Sequence, residues 1–259
     1  MPRLALIPFS RFRHVAVITL VATLLATCAL AQADRAVAAT STDDPAGVAA
    51  IGRHGLALPH TPTTMSDFMT MVIQDVHHFW TTKLASAGIG ELTVRYRWFV
   101  RRSVRTPCGP AAADNPFYCP RNHTIYFSAR FARKIWLGMR LDGGRTGGDM
   151  GVATVIAHEY AHDLQYELGV YKAHRHARQT MPFELEADCL AGVWANNAYH
   201  EGILEVGDPE EAAATTAAVG DHAVRAPDHH GTPAQRRAAW LVGYNTANLA
   251  NCGAYVRNA

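Results

Sequence analysis

The chain has 259 residues, of which 49% are hydrophobic, and a formal net charge of +2; that is enough for one domain with a sizeable core plus an N-terminal appendage. Removing residues 1–33 takes away Arg3, Arg11 and Arg13 and no acid, leaving 21 basic against 22 acidic residues. No basic block remains, so nucleic-acid binding has no electrostatic basis.

Arg3, Arg11 and Arg13 precede an apolar run from Val15 to Ala33. Ala31-Gln32-Ala33 has the small-x-small form of a signal-peptidase site, which predicts export with Asp34 as the first mature residue. The run is also nearly long enough to span a bilayer, so membrane anchoring through residues 15–33 competes with cleavage. Lipoprotein processing at Cys28 is a third route, against which Thr27 is a poor preceding residue. Residues 34–62, rich in Ala, Gly, Thr and Pro, read as a flexible linker. Residues 63–259 then form the main domain.

Met65, Phe68, Met69, Val72, Val76, Phe79 and Trp80 recur at helical spacing and predict a helix over Met65 to Leu84. His77-His78 within it read as a partly buried or surface pair. Leu92 to Phe99 alternates like a half-buried strand, and Thr124 to Phe127 is a second short one. Phe131 to Leu141 reads as a helix. The glycine-rich stretch Asp142 to Gly148 reads as a hinge or connector, since no Lys-Ser/Thr follows to make a phosphate cradle.

Four cysteines lie beyond the leader: Cys108, Cys119, Cys189 and Cys252. An even number after an export signal reads as a disulfide set, with three pairings open. Cys108 and Cys119 enclose the turn-rich stretch Gly109-Pro110 to Asn115-Pro116, which a local bridge would staple. That leaves Cys189 with Cys252. No C-x-x-C pair supports a structural zinc site instead.

His158-Glu159-Tyr160-Ala161-His162 carries the chemistry. Val152, Val155, Ile156, Tyr160, Leu164 and Leu168 put it on a helix that starts near Gly147-Gly148-Asp149 and stops near Gly169. Histidines at i and i+4 share one face and can hold one Zn²⁺, while Glu159 reaches a water. Lys172 to Arg178, with His174 and His176, reads as a basic surface loop. Thr180 and Pro182 open a second helix on which Glu184 and Asp188 are again i and i+4. One of these carboxylates can bind the metal while the other accepts an N–H from a ligating imidazole. Glu186, two residues from either, points off that face and reads as solvent-facing. Asp208-Pro209-Glu210-Glu211 opens an Ala-rich helix, with Asp208 as N-cap. Thr232 to Gln235 opens the last one with a capping box.

The stretches Val155 to Gln165 and Glu184 to Ala195 resemble the bacterial neutral zinc metallopeptidase family, a gluzincin-like branch of the zincins. Pro116 to Pro120, Ile125-Tyr126-Phe127, Gly207-Asp208-Pro209 and His230 to Arg236 are supporting matches. The resemblance covers roughly residues 63–259. Asp163 departs from it, at a position where His or another residue type is more usual.

The resemblance implies an α+β fold, a mostly helical zincin-like domain with a small β-sheet. It also implies one Zn²⁺ per chain held by His158, His162 and Glu184, with Asp188 as the partner of a ligating histidine. Glu159 is then the general base, and His230, before a capped helix, is the candidate oxyanion donor. His222 and His229 are weaker candidates for that role. The expected activity is that of an exported zinc endopeptidase acting on polypeptides. A zinc-stabilised, non-catalytic binding or scaffold protein of the bacterial cell envelope is the alternative, and an intact Glu159 argues against it.

Overall fold

The computed structural model describes the backbone of Ala49–Ala50 and residues 64–257 and 259. The leader, its cleavage site, Cys28 and nearly all of the expected linker lie outside the described residues. Within that linker, Ala49–Ala50 forms a short strand (β1).

Helix α1 spans Met65–Ala85. The Thr64 hydroxyl accepts from the Asp67 N–H and the Asp67 carboxylate accepts from the Thr64 N–H, each at 3.1 Å, which satisfies two otherwise orphaned donors. Its apolar stripe, Met69, Ile73, Val76 and Trp80, is buried.

Strand β2 covers Arg95–Phe99, and β3 (Ser103–Thr106) pairs antiparallel with β4 (Gly109–Ala112). Strands β5 (Phe117–Cys119) and β6 (Thr124–Ser128) complete a four-stranded sheet in the order β1-β2-β6-β5. Here β2 and β6 run parallel with Trp98 beside Phe127, and β5 and β6 run antiparallel with Tyr118 beside Ile125. β6 is buried along its whole length, as a central strand covered on both faces should be. The β3–β4 hairpin was not legible because Gly109 and Pro110 are turn and breaker residues, yet they form β4. The bridge from Cys108 to Cys119 closes this region against β5.

Helix α2 is shorter than its periodicity suggests, Ala129–Trp136. The last two residues expected in it, Arg140–Leu141, instead form strand β7, which pairs in a tight hairpin with β8 (Gly144–Arg145) from the stretch read as a connector. Gly138, at φ 80°, turns the chain out of the helix.

Four further helices follow: α3 (Gly148–Glu167), which packs against β5, and α5 (Met181–His200), α6 (Asp208–Ala218) and α7 (Pro233–Thr246), which pack on α3 and on one another. Short helices α4 (Val170–Ala173) and α8 (Leu249–Cys252) cap the connections. Gly207, not Asp208, is the N-cap of α6; the Asp208 side chain reaches back instead and accepts from the Glu205 N–H at 2.7 Å. The capping box at the start of α7, Thr232 with Gln235, is present.

Two contacts fix how α5 meets its neighbours. A Cβ on Gly192 would strike the Trp240 carbonyl, and one on Gly243 would strike the Cys189 carbonyl. Glycine on each helix therefore lets α5 and α7 approach backbone to backbone. The bridge from Cys189 to Cys252 ties α5 to α8. On the far side, the Trp194 indole donates to the buried Asp75 carboxylate of α1 at 2.7 Å. The fold is α+β, mostly helical with small sheets, in the zincin-like arrangement. Among the described residues no helix is long and apolar enough to cross a membrane.

Candidate active site

Helix α3 is buried nearly all round, and its His158 and Glu159 are more than 90% buried. The two imidazoles meet edge to face with centroids 4.7 Å apart, as i and i+4 residues on one face must. From α5, the Glu184 carboxylate comes between them. Oε2 lies 3.2 Å from His158 Nε2, and Oε1 lies 3.5 Å from His162 Nε2. One ligand atom from each of the three residues falls within 4.8 Å of the others.

The opposite edge of each ring is anchored. His158 Nδ1 lies 2.8 Å from Asp188 Oδ1. His162 Nδ1 lies 2.9 Å from Gln165 Oε1 and 3.0 Å from the Tyr171 hydroxyl. In the neutral form, a ring that donates its Nδ1–H to these acceptors presents its Nε2 lone pair to the space beside Glu184. The sequence brings His158, His162 and Glu184 together with Asp188 behind them, and all four line one cavity of about 780 Å³. Glu159 opens on the same cavity, whose apolar wall includes Phe117, Tyr118, Phe131 and Val155.

Sequence reasoning missed the residues that hold these in turn. Arg236, on α7, is buried and clamps Asp188 with two 2.8 Å contacts, Nε to Oδ2 and Nη2 to Oδ1. The same Nη2 lies 3.7 Å from Glu184 Oε2. The signal available was its place one turn into a capped helix. Gln165 donates from Nε2 to the Phe183 carbonyl at 2.8 Å and to Glu186 Oε2 at 2.9 Å. Glu186 is therefore not solvent-facing: it is 6% exposed. The off-face direction was right, but α3 covers that side of α5 as well.

Charge follows burial and partners. Burial pushes the Glu159 carboxyl up, against the opposing pull of His162 and His158. Burial acts the same way on Glu184, but His162, His158 and Arg236 outweigh it and hold this carboxyl well below the usual range. Burial would lower His158, yet the Asp188 and Glu184 carboxylates raise it well above the ordinary imidazole value. Burial lifts Glu186 to about 7, although the Gln165 amide works against that.

His230 also lines the cavity, but its side chain is 53% exposed. Asp221 Oδ2 accepts from the His230 N–H at 2.9 Å and lies 3.4 Å from its Nδ1. His229 is buried and meets Asp221 Oδ1 at 2.5 Å. Burial slightly opposes ionisation of Asp221, but the His230 N–H and His229 outweigh it and hold the carboxyl below its usual range. His222 is exposed and does not line the cavity.

The arrangement defines a class: a helical HExxH site with a carboxylate from a second helix, opening on a cleft. Two imidazole nitrogens and a carboxylate oxygen with anchored outer edges suit zinc. The chain belongs to the family described as "Putative neutral zinc metallopeptidase", whose model matches residues 14–255. It is 33% identical over 175 residues to a protein of Escherichia coli strain K12 named only as the uncharacterized protein YpfJ, covering 60% of this chain and 59% of that one. It is 34% identical over 178 residues to the uncharacterized protein Rv2575 of Mycobacterium tuberculosis strain H37Rv, covering 59% of each. The matched stretch spans about three fifths of the length of these relatives. No solved structure matches the chain.

Proposed function

We propose that the chain is an exported zinc endopeptidase. The observation that carries this is the convergence of His158 Nε2, His162 Nε2 and Glu184 on one point of the cleft, with Glu159 buried beside them. His158, His162 and Glu184 would hold the metal. When bound, zinc supplies a Lewis acid that polarises a carbonyl and lowers the pKa of water.

Every other step belongs to the protein. Glu159 takes a proton from the attacking water and delivers it to the leaving nitrogen; a desolvated carboxylate of raised pKa is a stronger base for this than an exposed one. Asp188 fixes the tautomer of His158, and Arg236 fixes Asp188. His230 donates from the cleft rim to the carbonyl oxygen as negative charge develops there, with the Asp221 carboxylate behind it. A cleft of about 780 Å³ with a partly apolar wall has room for a stretch of polypeptide. Residues 63–259 make up the peptidase domain, and residues 1–33 act as signal peptide or anchor. Two disulfides support an oxidising destination, secreted or at the cell envelope.

The test compares the zinc-loaded protein with Glu159→Gln on unfolded polypeptides. The variant should keep its zinc and lose turnover by about 10²–10⁴-fold. Equal turnover would overturn the mechanism. Zinc retention with no cleavage by either protein would favour a non-catalytic envelope protein.

A further inference from the structure

A second group of ligand-type side chains lies outside the HExxH site. Asp163 and Glu167 are i and i+4 on α3, and His123 sits in the turn between β5 and β6. Ligand atoms of the three lie within 4.8 Å of one another. We propose that His123, Asp163 and Glu167 form a second binding site for a divalent transition-metal ion, which pins the β5–β6 turn to α3.

The first observation is the geometry round one nitrogen. His123 Nδ1 faces three oxygens: Asp163 Oδ1 at 3.2 Å, the Tyr118 hydroxyl at 3.2 Å and Glu167 Oε1 at 3.5 Å. A single N–H can serve only one of them well, and all three distances sit at or beyond the long end of the N–H···O range. The two carboxylate distances match instead the separation of about 3.4 Å between neighbouring ligands of a tetrahedral ion bound at about 2.1 Å.

The second observation is independent of the first. Asp163 has no exposed surface; Tyr118 and His123 hydrogen-bond its carboxylate, yet its Oδ2 has no hydrogen-bond partner. A carboxylate oxygen left so in the interior is costly unless a cation or donor reaches it. Among the described residues, His123 is the basic side chain that pairs with Asp163 and with Glu167. One imidazole cannot balance two carboxylates; a divalent ion with a neutral imidazole does.

The surroundings resemble the support of a metal ligand. Thr93 donates its N–H at 3.0 Å and its hydroxyl at 2.5 Å to Glu167 Oε1, fixing that carboxylate from outside. His123 adopts φ 50°, a left-handed conformation unusual for a residue other than glycine, and so turns back toward α3. One imidazole and two carboxylates favour the manganese-to-zinc series over calcium, which takes six to eight oxygens. Tyr118 is both a neighbour of this site and part of the cleft wall, so the ion would stiffen that wall.

The experiment counts zinc by elemental mass spectrometry in full-length protein equilibrated against buffered free Zn²⁺. The wild type should hold two ions per chain. Glu184→Ala should keep the second ion, because it empties only the cleft. Asp163→Asn and His123→Asn should each lose it, with affinity falling by about 100-fold or more, and keep the ion in the cleft. Asparagine tolerates the left-handed backbone at position 123, so His123→Asn reads the site even if Asp163→Asn folds poorly. In the Glu184→Ala background, added zinc should raise Tm, and adding His123→Asn should abolish that rise. One zinc per chain in the wild type, or a second zinc that survives His123→Asn, would overturn the proposal. Failure of Glu184→Ala to lose any zinc would count against the cleft reading instead.

Discussion

Gln165 donates to Glu186 at 2.9 Å, and its other end accepts from His162 at the same distance. Both acceptors of the Gln165 amide nitrogen, Glu186 and the Phe183 carbonyl, lie on α5. They settle which way the amide points: its oxygen must face His162. A buried acid on α5 thus orients a histidine on α3 through one intervening side chain.

Glu186 should therefore matter to the metal. Glu184→Ala removes a proposed ligand and should bind zinc worst. Asp188→Ala frees His158 and removes the two short contacts that hold Arg236, and should cost about 10–100-fold in affinity. Glu186→Ala should lie between Asp188→Ala and the wild type. Glu186→Gln should restore most of the loss, because its amide oxygen can still accept from Gln165. Competition with a chromophoric chelator measures all four. Wild-type affinity in Glu186→Ala would show that the Phe183 carbonyl and the Tyr171 hydroxyl hold Gln165 without Glu186.

Metal uptake should release protons. In the metal-free protein, Asp188 and Glu184 outweigh burial and raise the His158 pKa above its ordinary value, so at neutral pH this ring should carry a second proton, on Nε2. A ligating imidazole must be neutral at the coordinating nitrogen, so zinc has to displace that proton. Zinc affinity should rise with pH through the neutral range. Calorimetric titration in two buffers of different ionisation enthalpy should report net proton release at pH 7. A heat independent of buffer would mean that His158 is already neutral in the metal-free protein.

The legible parts of the molecule were those where spacing alone decides the geometry. His158 and His162 must share a face of any helix, and so must Glu184 and Asp188. The capping box of Thr232 with Gln235 is likewise a local rule, and the two cysteine bridges followed from count and loop length. What the sequence hid was decided by neighbours. Glu186 looked exposed because period alone marks a direction, not what covers it. Arg236 is an arginine in the first turns of a helix until α5 and α7 close over it, and that closeness depends on Gly192 and Gly243. The β3–β4 and β7–β8 hairpins are short, and their Gly and Pro residues read as loop.

The bridge between Cys189 and Cys252 should act on the site through α5. Cys189 follows Asp188 directly and is fully buried against α7. Replacing both cysteines by serine should cost about 2–5 kcal/mol of stability. Amide exchange should then speed up in α5 around Asp188 more than in α1. The pair Cys108–Cys119 lies in the β3–β5 region, so its loss should leave exchange in α5 unchanged. Equal effects of the two bridges on α5 would mean that neither acts locally.

Asp75 offers a pH dependence that is separate from the metal. It is buried, and burial raises its pKa; the Trp194 hydrogen bond works against that, Glu201 adds to it and His78 opposes it. A carboxyl whose folded pKa lies above its unfolded value binds its proton more tightly in the folded state. Its stabilising contribution is therefore complete below the unfolded value, near 4, and is lost as pH rises through the folded value. Above that, the fold carries a desolvated charge between α1 and α5. Asp75→Asn keeps an oxygen that can accept from Trp194 and removes the charge. Urea unfolding with a chelator present, at pH 4 and at pH 7, measures the effect while excluding metal. The variant should gain on the wild type between those two values. A midpoint difference that stays the same at both would show that Asp75 keeps an ordinary pKa.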